Sequence, residues 1–366
     1  MRLKASSPPS DETLFLRLDL LRFPLIVGVV FIHAYETSVG FAGGAIGSSQ
    51  GSPVGDFIRN LISQGLARVA VPLFFLISGF LFFRHFSATL PAYGAKLRAR
   101  LHTLLIPYLF WNLATLAVVA LAQALPATAG FFSGKSLPIA SYASGDYVDA
   151  LFGIGRMPIA YQFWFIRDLM LLVLAAPLVF LGARFLPRLG VLLLVVGWVL
   201  PLWPLAMPAA DAALFFFLGA AVALQGWNLF ALDGHARWLV PTYLVLALAD
   251  AALAQQGLGV YLHSVSIIVG IGAALCLSGP LARSGRLRQW LMQLSGASFF
   301  VYAAHEPVLT IARKLAYKAL QPTSTPMVML LYFAIPLGVI GVLLLAQALL
   351  RRCLPGVARV INGGRA

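Results

Sequence analysis

Apolar runs of about 20 residues recur along almost the whole chain, and a helix of that length matches the hydrocarbon thickness of a bilayer. This one feature decides the fold class. Of 366 residues, 60% are hydrophobic and 10% charged, against the roughly 45–50% apolar usage of soluble domains, so no stretch remains for a sizeable soluble domain. The sequence predicts an all-α, polytopic membrane protein of about ten transmembrane helices. They are expected at roughly 15–37, 57–84, 102–125, 162–182, 189–206, 211–227, 237–255, 259–279, 289–318 and 326–350. Residues 1–13 read as a cytoplasmic tail, 14–350 as the transmembrane domain and 351–366 as a basic cytoplasmic tail. The first apolar run carries no small-residue cleavage site, so it is expected to stay as a helix.

The basic residues encode orientation. A net charge of +14 could point to nucleic acid, but the cations are scattered through short loops rather than gathered on one face, and no nucleic-acid partner is expected. With the N-terminus inside, the cytoplasmic segments collect Arg2, Lys4, Arg17, Arg84, Lys96, Arg98, Arg100, Arg184, Arg188, Arg237, Arg283, Arg286, Arg288, Arg351, Arg352, Arg359 and Arg365. The opposite loops hold Lys135, Arg156, Lys318 and Arg59. This bias predicts N-in, C-in topology. The one long outer segment, 126–161, is rich in Gly, Ser and Pro and is expected to be irregular, as a binding loop or a plain connector. Two cysteines, Cys276 and Cys353, provide neither a disulfide framework nor a metal-ligand cluster.

The first apolar segment, "RLDLLRFPLIVGVVFIHAYE" (17–36), carries Arg17, Asp19, Arg22, His33 and Glu36. Eleven helical steps from Arg22 to His33 make almost three turns, which puts both on one face about 16 Å apart, with Asp19 and Glu36 flanking them. Charges in lipid cost several kcal/mol each, so the stripe must face protein or water. A salt-bridged helix seam would explain it; so would chemistry, because histidine collects and returns protons near neutral pH. Arg17 falls on the other side, where a role in orientation suffices. His85, His235 and His263 have no comparable polar company and read as loop or packing residues.

Two further segments carry charge to a similar depth. "YQFWFIRDLMLLVLAAPL" (161–178) contributes Trp164, Arg167 and Asp168, readable also as an interfacial aromatic belt with a snorkelling arginine. "SFFVYAAHEPVL" (298–309) contributes Tyr302, His305 and Glu306, some 24 Å along a helix starting near 289. Two histidines with carboxylates could act as base and orienting group, and Arg167 could offset charge on an acyl-transfer intermediate. On the cytoplasmic side, Lys96, Arg98 and Arg100 in "KLRARLHTLLIPYLFWN" (96–112) serve topology or, with Arg22, a phosphate-rich donor.

In this order, Arg22 with ten residues before His33, "VPLFFLISGFLF" (71–82), "LLIPYLFWN" (104–112), "FWFIRDL" (163–169) and "SFFVYAAHEP" (298–307) resemble the acyltransferase-3 family of bacterial integral membrane acyltransferases, over about 14–350. The resemblance implies an acyl-coenzyme A donor, usually acetyl-CoA, no metal, and a sugar hydroxyl acceptor on an exported polysaccharide or lipid-linked oligosaccharide. It implies functional roles for Arg22 and His33 and a cytoplasmic basic donor motif. Here Arg98 and Arg100 stand one residue apart, where relatives often have two arginines separated by two. The expected site has His33, Glu36 and His305 in proton transfer, Arg22, Lys96, Arg98 and Arg100 on the donor, and Trp164, Arg167, Asp168, Tyr302 and Glu306 on the acceptor or transition state. The expected setting is the bacterial inner membrane, among membrane lipids and polysaccharide assembly machinery. A proton-coupled transporter or flippase of such a system is the alternative, weakened by the lack of internal repeats. A scaffold held by a polar seam is a third reading.

Overall fold

The computed structural model describes residues 10–47, 52–134, 137–254 and 259–364. Arg2, Lys4, Lys135 and Arg365 lie outside the described residues. In chain order the helices are α1 (Asp11–His33), α2 (Pro53–Phe83), α3 (Leu90–Ala124), α4 (Ser144–Phe152), α5 (Trp164–Leu174), α6 (Ala176–Phe185), α7 (Pro187–Val199), α8 (Ala210–Leu224), α9 (Ala236–Leu253), α10 (Gly259–Arg283), α11 (Gly285–Ser295), α12 (Ser298–Leu320), α13 (Thr325–Cys353) and α14 (Pro355–Ile361). A hairpin, β1 (Ser38–Phe41) with β2 (Gly44–Gly47), follows α1, with Val39 opposite Ile46.

By length and apolarity, five helices among the described residues can cross a membrane: α2, α3, the one ending at Leu253, α10 and α13. The bent pair α5–α6 would make six. Several of the expected spans therefore differ from simple rods. Helices α7 and α8, of 13 and 15 residues, are short for a bilayer of about 30 Å at 1.5 Å per residue. The expected helix over 162–182 bends by 69° at Ala175. Pro177 has no amide for the carbonyl of Val173, and the Tyr93 hydroxyl donates to the carbonyls of Val173 and Leu174 at 3.3 and 2.9 Å instead.

The expected helix over 289–318 is two helices, broken at Gly296 and Ala297. This overturns the 24 Å estimate for His305: from Ser298 it is seven residues, about 10 Å, into α12. The 126–161 segment is more regular than its composition predicts. It holds short 3-10 turns at Pro126–Phe131 and Ile139–Ser141 as well as α4. Asp146 accepts the Ala143 amide at 2.9 Å to cap α4, and Gly153 ends it at φ 67°, the left-handed geometry that glycine adopts without strain.

Contacts divide the chain into two units. The first comprises Met1–Val29, Asn60–Ala99 and Asp168–Ser298. Its centre is the crossing of α2 and α8, where a methyl on Gly79 would lie 2.1 Å from the Phe216 carbonyl and one on Gly219 would lie 2.0 Å from that of Leu76. Only glycine lets these two backbones meet. Arg17 is buried here, with Nε on Ser278 at 2.8 Å, its fork on Asp233 at 2.6 and 2.8 Å, and its plane 3.5 Å over Phe230. A fully paired guanidinium accounts for its depth. His263 and His85 do have polar company: His263 bonds Asp250 at 2.8 Å, and His85 approaches Asp11 at 3.4 Å. The Arg84 guanidinium, hydrogen-bonded to Asp11, holds that carboxyl below its usual range.

The second unit comprises Val30–Arg59, Arg100–Arg167 and Phe299–Ala366. Its core includes Val39 and Phe41 of the hairpin packed with Tyr317 and Leu331. Lys314 holds the hairpin down, its ammonium donating to the carbonyls of Gly40 and Phe131.

Candidate active site

The second unit assembles one polar cluster in an otherwise apolar interior, and proline chemistry begins it. Pro307, inside α12, cannot donate to the carbonyl of Ala303 one turn earlier. The buried Gln162 side chain supplies the missing donor at 3.0 Å. The Tyr302 hydroxyl returns the contact, donating to the Gln162 carbonyl at 2.7 Å. Asn112, fully buried at the end of the "LLIPYLFWN" stretch, accepts the Ala160 amide at 3.1 Å and donates to the Tyr108 carbonyl at 2.9 Å. These bonds fix the 160–162 backbone against α3 and α12. They thereby place Tyr161.

Tyr161 joins the site's two halves. Its hydroxyl lies 2.9 Å from His33 Nδ1, beside the Glu306 carboxylate, which accepts the Thr310 hydroxyl at 2.7 Å. A carboxylate only accepts, so the tyrosine proton points to Glu306 and the tyrosine oxygen accepts from His33 Nδ1–H. That tautomer puts the lone pair of His33 on Nε2. The His305 ring lies with its centroid 5.0 Å from that of His33. It is fully buried, with Nδ1 donating to the Tyr302 carbonyl at 2.6 Å and Nε2 without a hydrogen-bond partner in the described residues.

Two arginines hold the end of α1, whose last carbonyls have no partner within the helix. Arg313 donates to the carbonyls of His33, at 3.5 Å, and Glu36. Arg59, buried and paired with Asp56, donates to the Tyr35 carbonyl at 2.9 Å.

Of the residues expected from sequence, the cluster brings together His33, Tyr302, His305 and Glu306. Glu36 is exposed and takes part through its main-chain carbonyl, whereas the Glu306 carboxylate lies within the cluster beside Tyr161. Trp164 begins α5 half-buried. Arg167 donates to the Gly153 carbonyl at 2.6 Å and so ties α5 to the end of α4. In the first unit, Asp168 is fully buried and accepts the Ala209 amide at 2.7 Å, capping α8. Arg22 is half-exposed and pairs with Asp19 at 2.9 Å along its own helix. The Lys96 ammonium donates to the Phe82 carbonyl at the end of α2. Arg98 is exposed, and Arg100, in the second unit, is half-buried.

Tyr161, Gln162, Asn112, Arg59, Arg313 and Thr310 had no assigned role in the sequence reading. Two of them left a trace there. Asn112 closes a motif that was noted, and an in-helix proline such as Pro307 implies that some donor must be found.

A family model described as an acyltransferase domain matches residues 15–347. The chain belongs to the acyltransferase-3 family. A relative, the succinoglycan biosynthesis protein ExoH of Rhizobium meliloti (strain 1021), is 30% identical over 364 residues, covering 97% of this chain and 94% of the relative. No solved structure matches the chain. As an acyltransferase-3 member with several apolar helices of bilayer length, the protein is a multi-pass membrane acyltransferase.

Proposed function

We propose that the protein transfers an acyl group from cytoplasmic acyl-coenzyme A to a sugar hydroxyl of an exported polysaccharide or lipid-linked glycan, in the bacterial inner membrane. The observation that carries this reading is the His33–Tyr161 hydrogen bond, with the Glu306 carboxylate beside the tyrosine and a second imidazole beside the first. His33 Nε2 takes the proton of the acceptor hydroxyl as its oxygen attacks the thioester carbonyl. The new C–O bond forms, the C–S bond breaks, and the proton leaves on the coenzyme A thiolate. Tyr161 and Glu306 hold the imidazole in the productive tautomer and stabilise its charged form, the task of the third group in any nucleophile–base–orienter set.

On the donor side, the exposed Arg98 suits a phosphate best, because Lys96 and Arg22 each have a partner already; guanidinium forks match phosphate oxygens. Sugar acceptance rests on the relative's named role in succinoglycan biosynthesis and on the family. The charge bias supports N-in, C-in topology with more spans than the five or six long apolar helices, the shorter and more charged helices completing the set. A working partnership with polysaccharide assembly machinery follows from the same comparison. The test uses proteoliposomes supplied with acyl-labelled coenzyme A and envelope glycan extract: label moving to alkali-labile esters on glycan supports the reading. Solute uptake with no ester formed would favour a transporter.

A further inference from the structure

A cavity of about 370 Å3 opens directly off the cluster, within the ~300–1,000 Å3 range of pockets that hold small molecules. Its walls are Val118, Ala122, Phe131, Ile159, Ile311 and Leu315. Tyr161, Gln162, Glu306 and Thr310 form a polar end beside His33, and Thr115 and Thr128 add two hydroxyls to an otherwise mostly apolar lining. Lys314 also lines it, but its ammonium is committed to the carbonyls of Gly40 and Phe131. Val118, Ile311 and Leu315 are exposed, so at this side the cavity meets bilayer hydrocarbon.

These features select the occupant. A sugar ring needs donors and acceptors around it, and most of this wall offers none. The tail of a lipid-linked acceptor is separated from the reacting hydroxyl by sugar and phosphate, and that phosphate would have to sit against the Glu306 carboxylate, with Lys314 as the one cation among the described lining residues and two of its three N–H groups already on carbonyls. A hydrocarbon bonded directly to the reacting carbonyl has neither difficulty: its carbonyl meets His33 while its tail enters the apolar chamber.

Resting on the acyl-transfer reading above, we propose that this cavity is an acyl-chain pocket and that the donor thioester carries a longer aliphatic group than the acetyl the resemblance implies. The transfer is otherwise unchanged: the ester C–O bond forms, the thioester C–S bond breaks, and coenzyme A leaves as the thiol.

The probes are S-ethyl and S-hexyl coenzyme A thioethers, which cannot react, titrated against the full chain in lipid nanodiscs. Burial of the added methylenes predicts at least roughly tenfold tighter binding of the hexyl compound. In Ala122→Trp, which fills the chamber, that gain should fall below about threefold; the ratio is taken within one variant, so a loss of folded protein cancels. Equal gain in both proteins would mean that the tail lies in lipid, and no gain in the wild type would mean that the chamber is not used; either result overturns the proposal. A hexyl tail ending in a diazirine supplies a check on the unaltered chain, with adducts expected on 118–122 and 311–315 and adducts elsewhere contradicting it. Absence of saturable binding by coenzyme A itself would overturn the donor reading and this inference together, a result distinct from a flat dependence on chain length.

Discussion

His33 Nδ1 and the Tyr161 hydroxyl lie 2.9 Å apart, and through that hydroxyl an imidazole at the end of the first helix is held by Glu306, a carboxylate 273 positions later in the chain. The contact fixes both the tautomer and the ring plane of the base. Removing the hydroxyl in Tyr161→Phe should lower kcat about 10²-fold, at the lower edge of what a positioned acid–base group contributes. Glu306→Gln should do the same. Because the two act as a unit, the double variant should be no slower than either single one. Steady-state kinetics of the three proteins checks this, and additive losses would show that they work independently.

The arginines at the end of α1 act on His33 from behind. Arg313→Ala leaves the carbonyls of His33 and Glu36 without their donor, and the expected result is a roughly tenfold lower kcat with donor KM unchanged, the signature of a misplaced catalytic group. Arg313→Lys should recover part of the loss, since an ammonium still donates to carbonyls but lacks the reach and fixed fork of the guanidinium. Equal kcat in all three proteins would remove Arg313 from the account.

The close approach of α2 and α8 makes a stability prediction with no catalytic content. A single methyl in Gly219→Ala would sit 2.0 Å from the Leu76 carbonyl, and a backbone cannot yield as a side-chain tip can. Overpacking typically costs ~1–3 kcal/mol, so the apparent Tm in detergent should fall by several degrees and membrane abundance with it. An unchanged melting profile would mean that the helices separate freely at this crossing.

Asp168 separates positioning from chemistry. It caps α8 through the Ala209 amide, and an asparagine oxygen can accept the same bond. Asp168→Asn should therefore keep stability and turnover near wild type, whereas Asp168→Ala should lose about 1 kcal/mol of stability. Circular-dichroism melts beside turnover would reveal a chemical role if Asp168→Asn melted normally yet turned over slowly.

What the sequence made legible follows from what is local. Lipid-length apolar runs, the charged first helix and the His305–Glu306 pair before Pro307 all announce themselves within one segment. The chamber and the relay do not. Tyr161 looks like an ordinary interfacial tyrosine until Asn112 and Gln162 are seen to hold its backbone, and those contacts join segments 48 and 141 positions apart. Glu36, adjacent in sequence, seemed the natural partner of His33, but α1 ends at His33 and the chain turns its carboxylate outward. The break at Gly296 was equally hidden, since no proline marks it and a single glycine is tolerated inside a helix. Arg59 counts in the sequence only toward topology, as charge near a span end ordinarily does, and nothing local to Arg313 points to His33.

The central claim is that His33 is the proton acceptor of acyl transfer. Its most direct measurement is single-turnover ester formation from labelled acyl-coenzyme A by His33→Gln in proteoliposomes, with donor binding measured alongside. The account predicts a loss of about 10²–10⁴-fold in the transfer rate with donor affinity intact. Transfer at the wild-type rate would contradict it.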